Sequence, residues 1–372
     1  MKYILQKCLL FCACTILLSC VKEPKTDDTF KKEMFTHYAD ALILPSYNSY
    51  DTALQSLKTA TTQFNTTPTI STLTNLQQAF LTAYSKWQNC EIYDRTSPAD
   101  ALMTMDIVNY YPTRKDSVLA YINRNDNSTT FIKSRNKNDK GLPAIEYLLF
   151  RTSSQQEIVD SFSIHPNAAS YKTYLTSLVD LLIETNHTIL SDWNTSYRNI
   201  FIKSLSTDAA SSFSTLVNSI AQRTDDFKRK QVGIPAGYSG NVSTVFTNPP
   251  AAQAYYSNNS IEYMLLTLNN MKDVLNGKGN DTITGKGLID YIRTLDVQST
   301  FGGNLADDIL AQIDVCINKV NACAPDYTNT INNNKQKADD LFLEAKKLLV
   351  LMKVDVPSAL GVSITYTDSD GD

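Results

Sequence analysis

Apolar side chains in this chain return at every third or fourth position, stretch after stretch, and that period commits most of it to helices. Leu73, Leu76, Phe80, Tyr84 and Trp87 form one stripe behind Ser71. Tyr171, Leu175, Leu178, Leu182, Ile189 and Trp193 form another, and Tyr47, Tyr50, Leu54 and Leu57 follow Pro45. At 100° per residue each series lies on one side of a helix, whereas a half-buried strand would alternate. A helix with one apolar stripe must bury it against another element, so the economical fold is all-α, a bundle of antiparallel helices. With 42% hydrophobic and 19% charged residues the chain has enough apolar surface for a sizeable core and is too apolar for disorder.

A length of 372 residues suggests two domains or one duplicated unit. Breaks in the helical pattern fall at 65–68, 123–140, 152–169, 232–250 and 277–287, mostly in Gly, Pro, Ser or Asn stretches. The third is read as the boundary between two bundle-like halves. Ile145-Glu146-Tyr147-Leu148-Leu149 recurs as Ile261-Glu262-Tyr263-Met264-Leu265, and each copy follows one of the two tryptophans, Trp87 or Trp193. That echo points to internal duplication, with independent convergence on a buried helix pattern as the alternative. The expected organisation is a signal peptide over 1–19, a lipidated tether over 20–36, a first helical half over 37–165, and a second half with an acidic tail over 166–372.

The leader is an address rather than part of the fold. Lys2 and Lys7 form its positive end, Cys8 to Leu18 its 11-residue apolar stretch, and Leu17-Leu18-Ser19-Cys20 resembles a bacterial lipobox. Cleavage before Cys20 and acylation of its thiol would anchor the chain in a membrane. The alternative is an ordinary secretory signal. Val21 after the lipidated cysteine resembles the outer-membrane sorting pattern, so the expected location is the outer membrane or cell surface. No later run of about 18 apolar residues is present to span a bilayer. Removing Lys2 and Lys7 leaves 32 basic against 38 acidic residues, a net charge of −6, which argues against a nucleic-acid partner.

Cys90, Cys316 and Cys323 remain beyond the lipidation site, an odd count that permits one disulfide at most. Leu305, Ile309, Ile313, Cys316, Val320 and Cys323 share one helical face. Two cysteines seven residues apart on a helix lie about 10 Å apart, too far to bridge, so Cys316 and Cys323 are read as core thiols.

Familiar catalytic patterns are missing from the sequence. None of His37, His165 and His187 begins a His-Glu-x-x-His motif, and Gly237-Tyr238-Ser239-Gly240 lacks nucleophile-elbow spacing. The stretch from Gly279 to Gly287 departs from a phosphate loop and reads as a flexible connection. Glu184 and His187 have the spacing of a di-iron ligand pair but no second copy, so a surface pair is expected. Asp368-Ser369-Asp370-Gly371-Asp372 stops before the Glu that would complete a calcium loop and reads as a solvated tail.

The informative segment is Gly141-Leu142-Pro143-Ala144-Ile145-Glu146-Tyr147-Leu148-Leu149-Phe150. Pro143 suits a first helical turn, where its missing N–H would be unpaired anyway. Glu146 is then the single charge on a helix apolar all round, and a helix of that kind is buried. A buried carboxylate has to be paired, hydrogen-bonded, metal-bound or protonated. The functional reading is a ligand site. The structural one is a first-turn Glu stabilised by the helix dipole and an interior Arg or Lys.

This segment resembles the Gly-x-His-x-x-Glu signature of the imelysin-like proteins, the peptidase M75 group, with Pro143 where the signature has His. The resemblance extends to Leu44-Pro45-Ser46-Tyr47, Trp87 and Glu91, Tyr111-Pro112 after Asp106, the run Val232-Gly233-Ile234-Pro235-Ala236-Gly237, and the ending from Lys353. The combination resembles the lipoproteins of Bacteroidetes. It implies two bundle-like helical halves with the motif site near their interface, envelope localisation and a link to iron uptake. Gly141 and Glu146 carry over and the motif imidazole does not. A catalytic zinc needs about three protein ligands and a base, and proline cannot imitate a donor.

The leading expectation is a non-enzymatic envelope lipoprotein that binds a small ligand, iron or another divalent metal near Glu146, with Gly141, Tyr147, Trp87 and Glu91 as the other site residues. Its expected partners are the membrane, through lipid on Cys20, and iron-uptake components. A metallopeptidase that takes its missing ligand from elsewhere in the fold, and a structural module of a surface assembly, are the alternatives.

Overall fold

The computed structural model describes residues 28–239, 242–243, 246–279 and 283–366. The leader, Cys20, residues 20–27 of the expected tether and the acidic tail from Asp368 lie outside the described residues. The helices of eight or more residues are α1 (Asp28–His37), α2 (Leu44–Thr66), α3 (Ile70–Cys90), α4 (Lys115–Asn123), α5 (Gly141–Phe150) and α6 (Gln155–Ser163). They continue with α7 (Ala168–Asp192), α8 (Ser212–Asp226), α9 (Ser260–Leu275), α10 (Leu288–Leu295), α11 (Leu305–Ala322) and α12 (Lys335–Val350). The one sheet among the described residues is a two-stranded antiparallel pair, β1 (Tyr238–Ser239) with β2 (Val242–Ser243). The all-α expectation holds, and no described helix is long and apolar enough to cross a membrane.

Local chemistry explains where these helices begin and how some of them continue. The hydroxyls of Thr69 and Thr72 satisfy each other's backbone N–H groups at the start of α3. Three prolines sit just inside helices that would otherwise break. Pro45, Pro235 and Pro357 each follow a π-helical turn, over Tyr38–Ile43, Phe227–Gly233 and Leu351–Asp355. Proline has no N–H to donate and its ring collides with the carbonyl four residues back. A local widening of the ladder relieves both problems, so the helix runs on.

One such turn joins α1 to α2, and this corrects the expected tether. Met34 and Phe35 are fully buried, Phe35 against Phe201 and Phe213, and Phe30 lies 5.6 Å from Tyr291. The segment from Asp28 to Thr36 is therefore folded against the second half of the chain, because its Phe and Met side chains complete that core.

The packing contains two bundles, but they do not divide at residue 165. α2, α3 and α7 pack together with α5, while α9, α11 and α12 pack together with α8, and α3 meets α9 between them. α7 was expected in the second half. It belongs to the first, where Lys58 pairs with Asp180 at 2.5 Å and Asn65 Nδ2 donates to Thr176 Oγ1 at 3.0 Å. The stretch read as a linker carries α6, whose Phe162 packs on Phe64 at 5.0 Å. One continuous core runs through both bundles.

The duplication is not borne out by the sequence echo. Glu146 is 3% exposed, whereas Glu262 stands exposed in the first turn of α9. Cys90, Cys316 and Cys323 are free and buried, as core thiols. Glu184 pairs with Lys133 and His187 with Asp51, so those two side chains answer different partners. The loop read as flexible carries an antiparallel bridge between Lys278 and Thr284.

Candidate functional site

The site is built from α5 outward. Gly141 opens the helix with φ +76°, and the N–H of Leu142 donates to the carbonyl of Val108 at 2.7 Å. A Cβ on Gly141 would come within 2.4 Å of the Val108 oxygen. This position therefore takes glycine for two reasons, the left-handed backbone and the close approach of another strand of chain. Gly141, expected among the ligand-binding residues, acts by setting the start of α5. From there every residue to Leu149 is buried, so the helix is enclosed as its sequence predicts.

Glu146 falls beyond the first turn, and the Arg or Lys partner of the structural reading is replaced by a serine. Its Oε1 accepts two hydrogen bonds from Ser257, one from the backbone N–H and one from Oγ, both at 2.8 Å. Burial pushes the carboxyl up to about 7, and the donors from Ser257 and the Tyr256 backbone oppose that rise without cancelling it. The loop that delivers Ser257 is bent between two left-handed residues, Ala254 at φ +55° and Asn258 at φ +57°. Such backbone costs on the order of 1–3 kcal/mol per residue and persists only where surrounding contacts impose it. The Asn259 N–H to the Ala254 carbonyl at 3.1 Å, Ser260 Oγ to the Gln253 carbonyl at 2.5 Å, and the Glu146 bonds are those contacts.

The other expected site residues are placed in three settings. Tyr147 is 5% exposed and meets the ring of Tyr256 edge-on at 5.2 Å, next to the Ser257 loop. Trp87 packs against Tyr50 at 5.3 Å in the core between α2 and α3, and its Nε1 has no hydrogen-bond partner. Glu91 lies just past α3 in a short 3-10 turn, in an ion pair with Arg223 at 2.9 Å where the two side chains are 9% and 3% exposed. Burial pushes its carboxyl up and Arg223 pulls it back.

A chain of polar side chains runs between Glu91 and the neighbourhood of Glu146. Tyr84 Oη donates to Asn109 Oδ1 at 2.6 Å, and Asn109 Nδ2 donates to Glu91 Oε1 at 3.1 Å. Burial raises Tyr84 well above its usual range, with the charge of Glu146 adding to the effect, as it does on Tyr263. Arg223 also donates to Thr267 Oγ1 at 2.7 Å and to Gln88 Oε1 at 3.1 Å, so the network crosses from the first bundle to the second.

Ser257, Asn109 and Arg223 are the members that sequence reasoning missed. Ser257 and Asn109 lie in irregular stretches that carry no period. Arg223 had a signal, since charged residues crowd Arg223 to Lys230 between the apolar Ile220 and Val232.

The donor set does not fit a catalytic metal. One oxygen of Glu146 is occupied by N–H and O–H donors, Pro143 offers no ligand, and the groups around the carboxylate are serine and tyrosine. Among the described residues no group of three or more His, Cys, Asp and Glu side chains is arranged to hold a metal. Oε1 of the Glu146 carboxylate, the residue expected to meet iron or another divalent metal, serves in this structure as the acceptor of both Ser257 hydrogen bonds.

The chain is thus an all-α protein with a Gly-x-x-x-x-Glu helix opening and a buried polar seam between two bundles. The family model of imelysin, peptidase M75, matches residues 43–348, and the chain belongs to that family. A crystal structure from Parabacteroides distasonis, of a protein described as a candidate iron-regulated protein A precursor, superposes with a TM-score of 0.71 at 17% identity, covering 91% of this chain and 96% of that one. An imelysin-like protein from Psychrobacter arcticum gives a TM-score of 0.70 at 16% identity, covering 91% of this chain and 98% of that one. At these identities the likeness is one of fold. Comparison with curated protein sequences returns no match.

Proposed function

We propose that this imelysin-family protein is a lipid-anchored component of the cell envelope that binds a small ligand at the Glu146 site, in connection with iron uptake, and does not cleave peptides. The observation that carries the proposal is the pairing of Glu146 with Ser257. A carboxyl near 7 shares its proton at neutral pH, and its present partners are one hydroxyl and one amide on a strained loop. A ligand with its own donors can replace Ser257, and release of the strained loop offsets part of the cost. Peptide hydrolysis through a metal would need a set of protein ligands, and the serine and tyrosine groups around Glu146 do not supply one.

The link to iron is supported by the description of the Parabacteroides neighbour as iron-regulated, a statement about that protein. Anchoring is supported by the lipobox at Leu17 to Cys20, with the membrane as partner through lipid on Cys20 and iron-uptake components as further partners. The test is calorimetric titration of the mature protein with ferrous, ferric and zinc ions and with haem, alongside a protease assay on unfolded protein substrates. Binding that Glu146→Gln weakens, without cleavage, is the expected result. Metal-dependent cleavage by the wild type that Glu146→Gln abolishes would establish the peptidase instead. Absence of binding would favour the role of an interaction module.

A further inference from the structure

A small cavity lies between the turn that follows α3 and the middle of α8, apart from the Glu146 helix. It measures about 10 Å³, room for one water-sized species, and is lined by Glu91, Asp94, Arg95, Met105, Ser219, Gln222, Arg223 and Asp226. Most of the charges on its wall are answered. Glu91 faces Arg223 at 2.9 Å, Asp226 faces Lys230 at 2.9 Å, and Arg95 faces Asp100 at 3.1 Å.

Asp94 is not answered in that way. The residue is 6% exposed, its Oδ1 accepts from Thr104 Oγ1 at 2.8 Å, and its Oδ2 is buried without a hydrogen-bond partner. Two more oxygens on the same wall are in the same condition, Oγ of Ser219, a residue 3% exposed, and Oε1 of Gln222. The Gln222 amide nitrogen is engaged by Met105 Sδ at 3.0 Å, which leaves its oxygen as the group on offer. Native structures rarely leave several buried polar atoms unpaired around one void, and water or an ion is the usual explanation.

We infer that this cavity is a binding site for a hard monovalent cation of about sodium size, held by Asp94 Oδ2, Ser219 Oγ and Gln222 Oε1. A carboxylate taken out of water with a single neutral donor is costly until a positive charge joins it. Oxygen donors of this kind suit hard cations. Asp94 is the one acid on the wall with no ion-pair partner, and the charge of Arg223 nearby offsets its burial only in part, which leaves room for one positive charge. A divalent ion would call on a second carboxylate, and Glu91 and Asp226 are committed to Arg223 and Lys230. Without the cation, burial drives the Asp94 carboxyl well up. Arg95 also borders an open surface groove of about 440 Å³ lined by Asp100, Thr215 and Asn218.

The experiment compares thermal melting of the mature protein in sodium chloride and in choline chloride at matched ionic strength, with sodium NMR line widths on the same samples. Above half-saturation each tenfold rise in sodium should lift Tm by about 2 °C, from mass action and the unfolding entropy of a chain this size. Protein should also broaden the sodium resonance. Asp94→Asn should remove both responses, and Ser219→Ala should shift the melting response to higher sodium. Should Asp94→Asn fail to fold, the Ser219→Ala shift decides. Equal melting in the two salts with no broadening would overturn the inference and leave a protonated Asp94 beside a water. A response to calcium but not to sodium would overturn the monovalent assignment.

Discussion

Replacing Glu146 by Gln removes a charge from an apolar helix while keeping the length of the side chain and an oxygen able to accept both Ser257 hydrogen bonds. The group titrates near 4.5 when unfolded and near 7 in the fold, so below 4.5 both states are protonated and Glu146 costs nothing. As pH rises from 4.5 to 7 the unfolded chain releases the proton first, and stability falls; above 7 the full penalty is present. A separation of about 2.5 units at roughly 1.36 kcal/mol per unit is a penalty of about 3 kcal/mol at pH 8. With unfolding entropy of about 2.1 cal/mol/K per residue, that is about 4 °C in Tm for a chain this long. Differential scanning calorimetry of both proteins is the assay. Near pH 4 the two should melt together, and at pH 8 Glu146→Gln should melt about 4 °C higher. Groups common to both proteins cancel in the comparison. A variant that melts lower than wild type at pH 8 but not near pH 4 would refute the reasoning, since it would make the ionised carboxylate the structural anchor of the Ser257 loop.

Gly141→Ala should lower stability by about 2–4 kcal/mol in urea unfolding, because a Cβ there meets the Val108 carbonyl at 2.4 Å and the backbone is left-handed; an unchanged midpoint would show that the Val108 segment yields freely. Glu91→Gln should cost about 3–5 kcal/mol, since it strands the Arg223 guanidinium in the interior, and a melting temperature equal to wild type would mean that Gln88 and Thr267 suffice for it. Cys20→Ala should release the protein from the membrane fraction or leave its leader uncleaved, and unchanged fractionation with unchanged acyl labelling would count against the lipobox.

Period and composition determined the helices, because a stripe of Leu, Tyr and Trp at three and four has one way to leave water, and this is a property of neighbours along the chain. The same local logic marked α5 as enclosed and Glu146 as its one buried charge, and it placed Cys316 on the inner face of α11. Family resemblance added Glu91 and Trp87 but not what they touch. Only the tertiary structure decided that Glu146 is answered by Ser257, 111 residues away, and that Glu91 is answered by Arg223. It alone assigned α7 to the first bundle and folded the residues after Asp28 against the second. Those outcomes depend on which stripe meets which, a choice among many pairings of similar apolar area, and on irregular loops such as Ala254 to Asn258, where no period exists to be read.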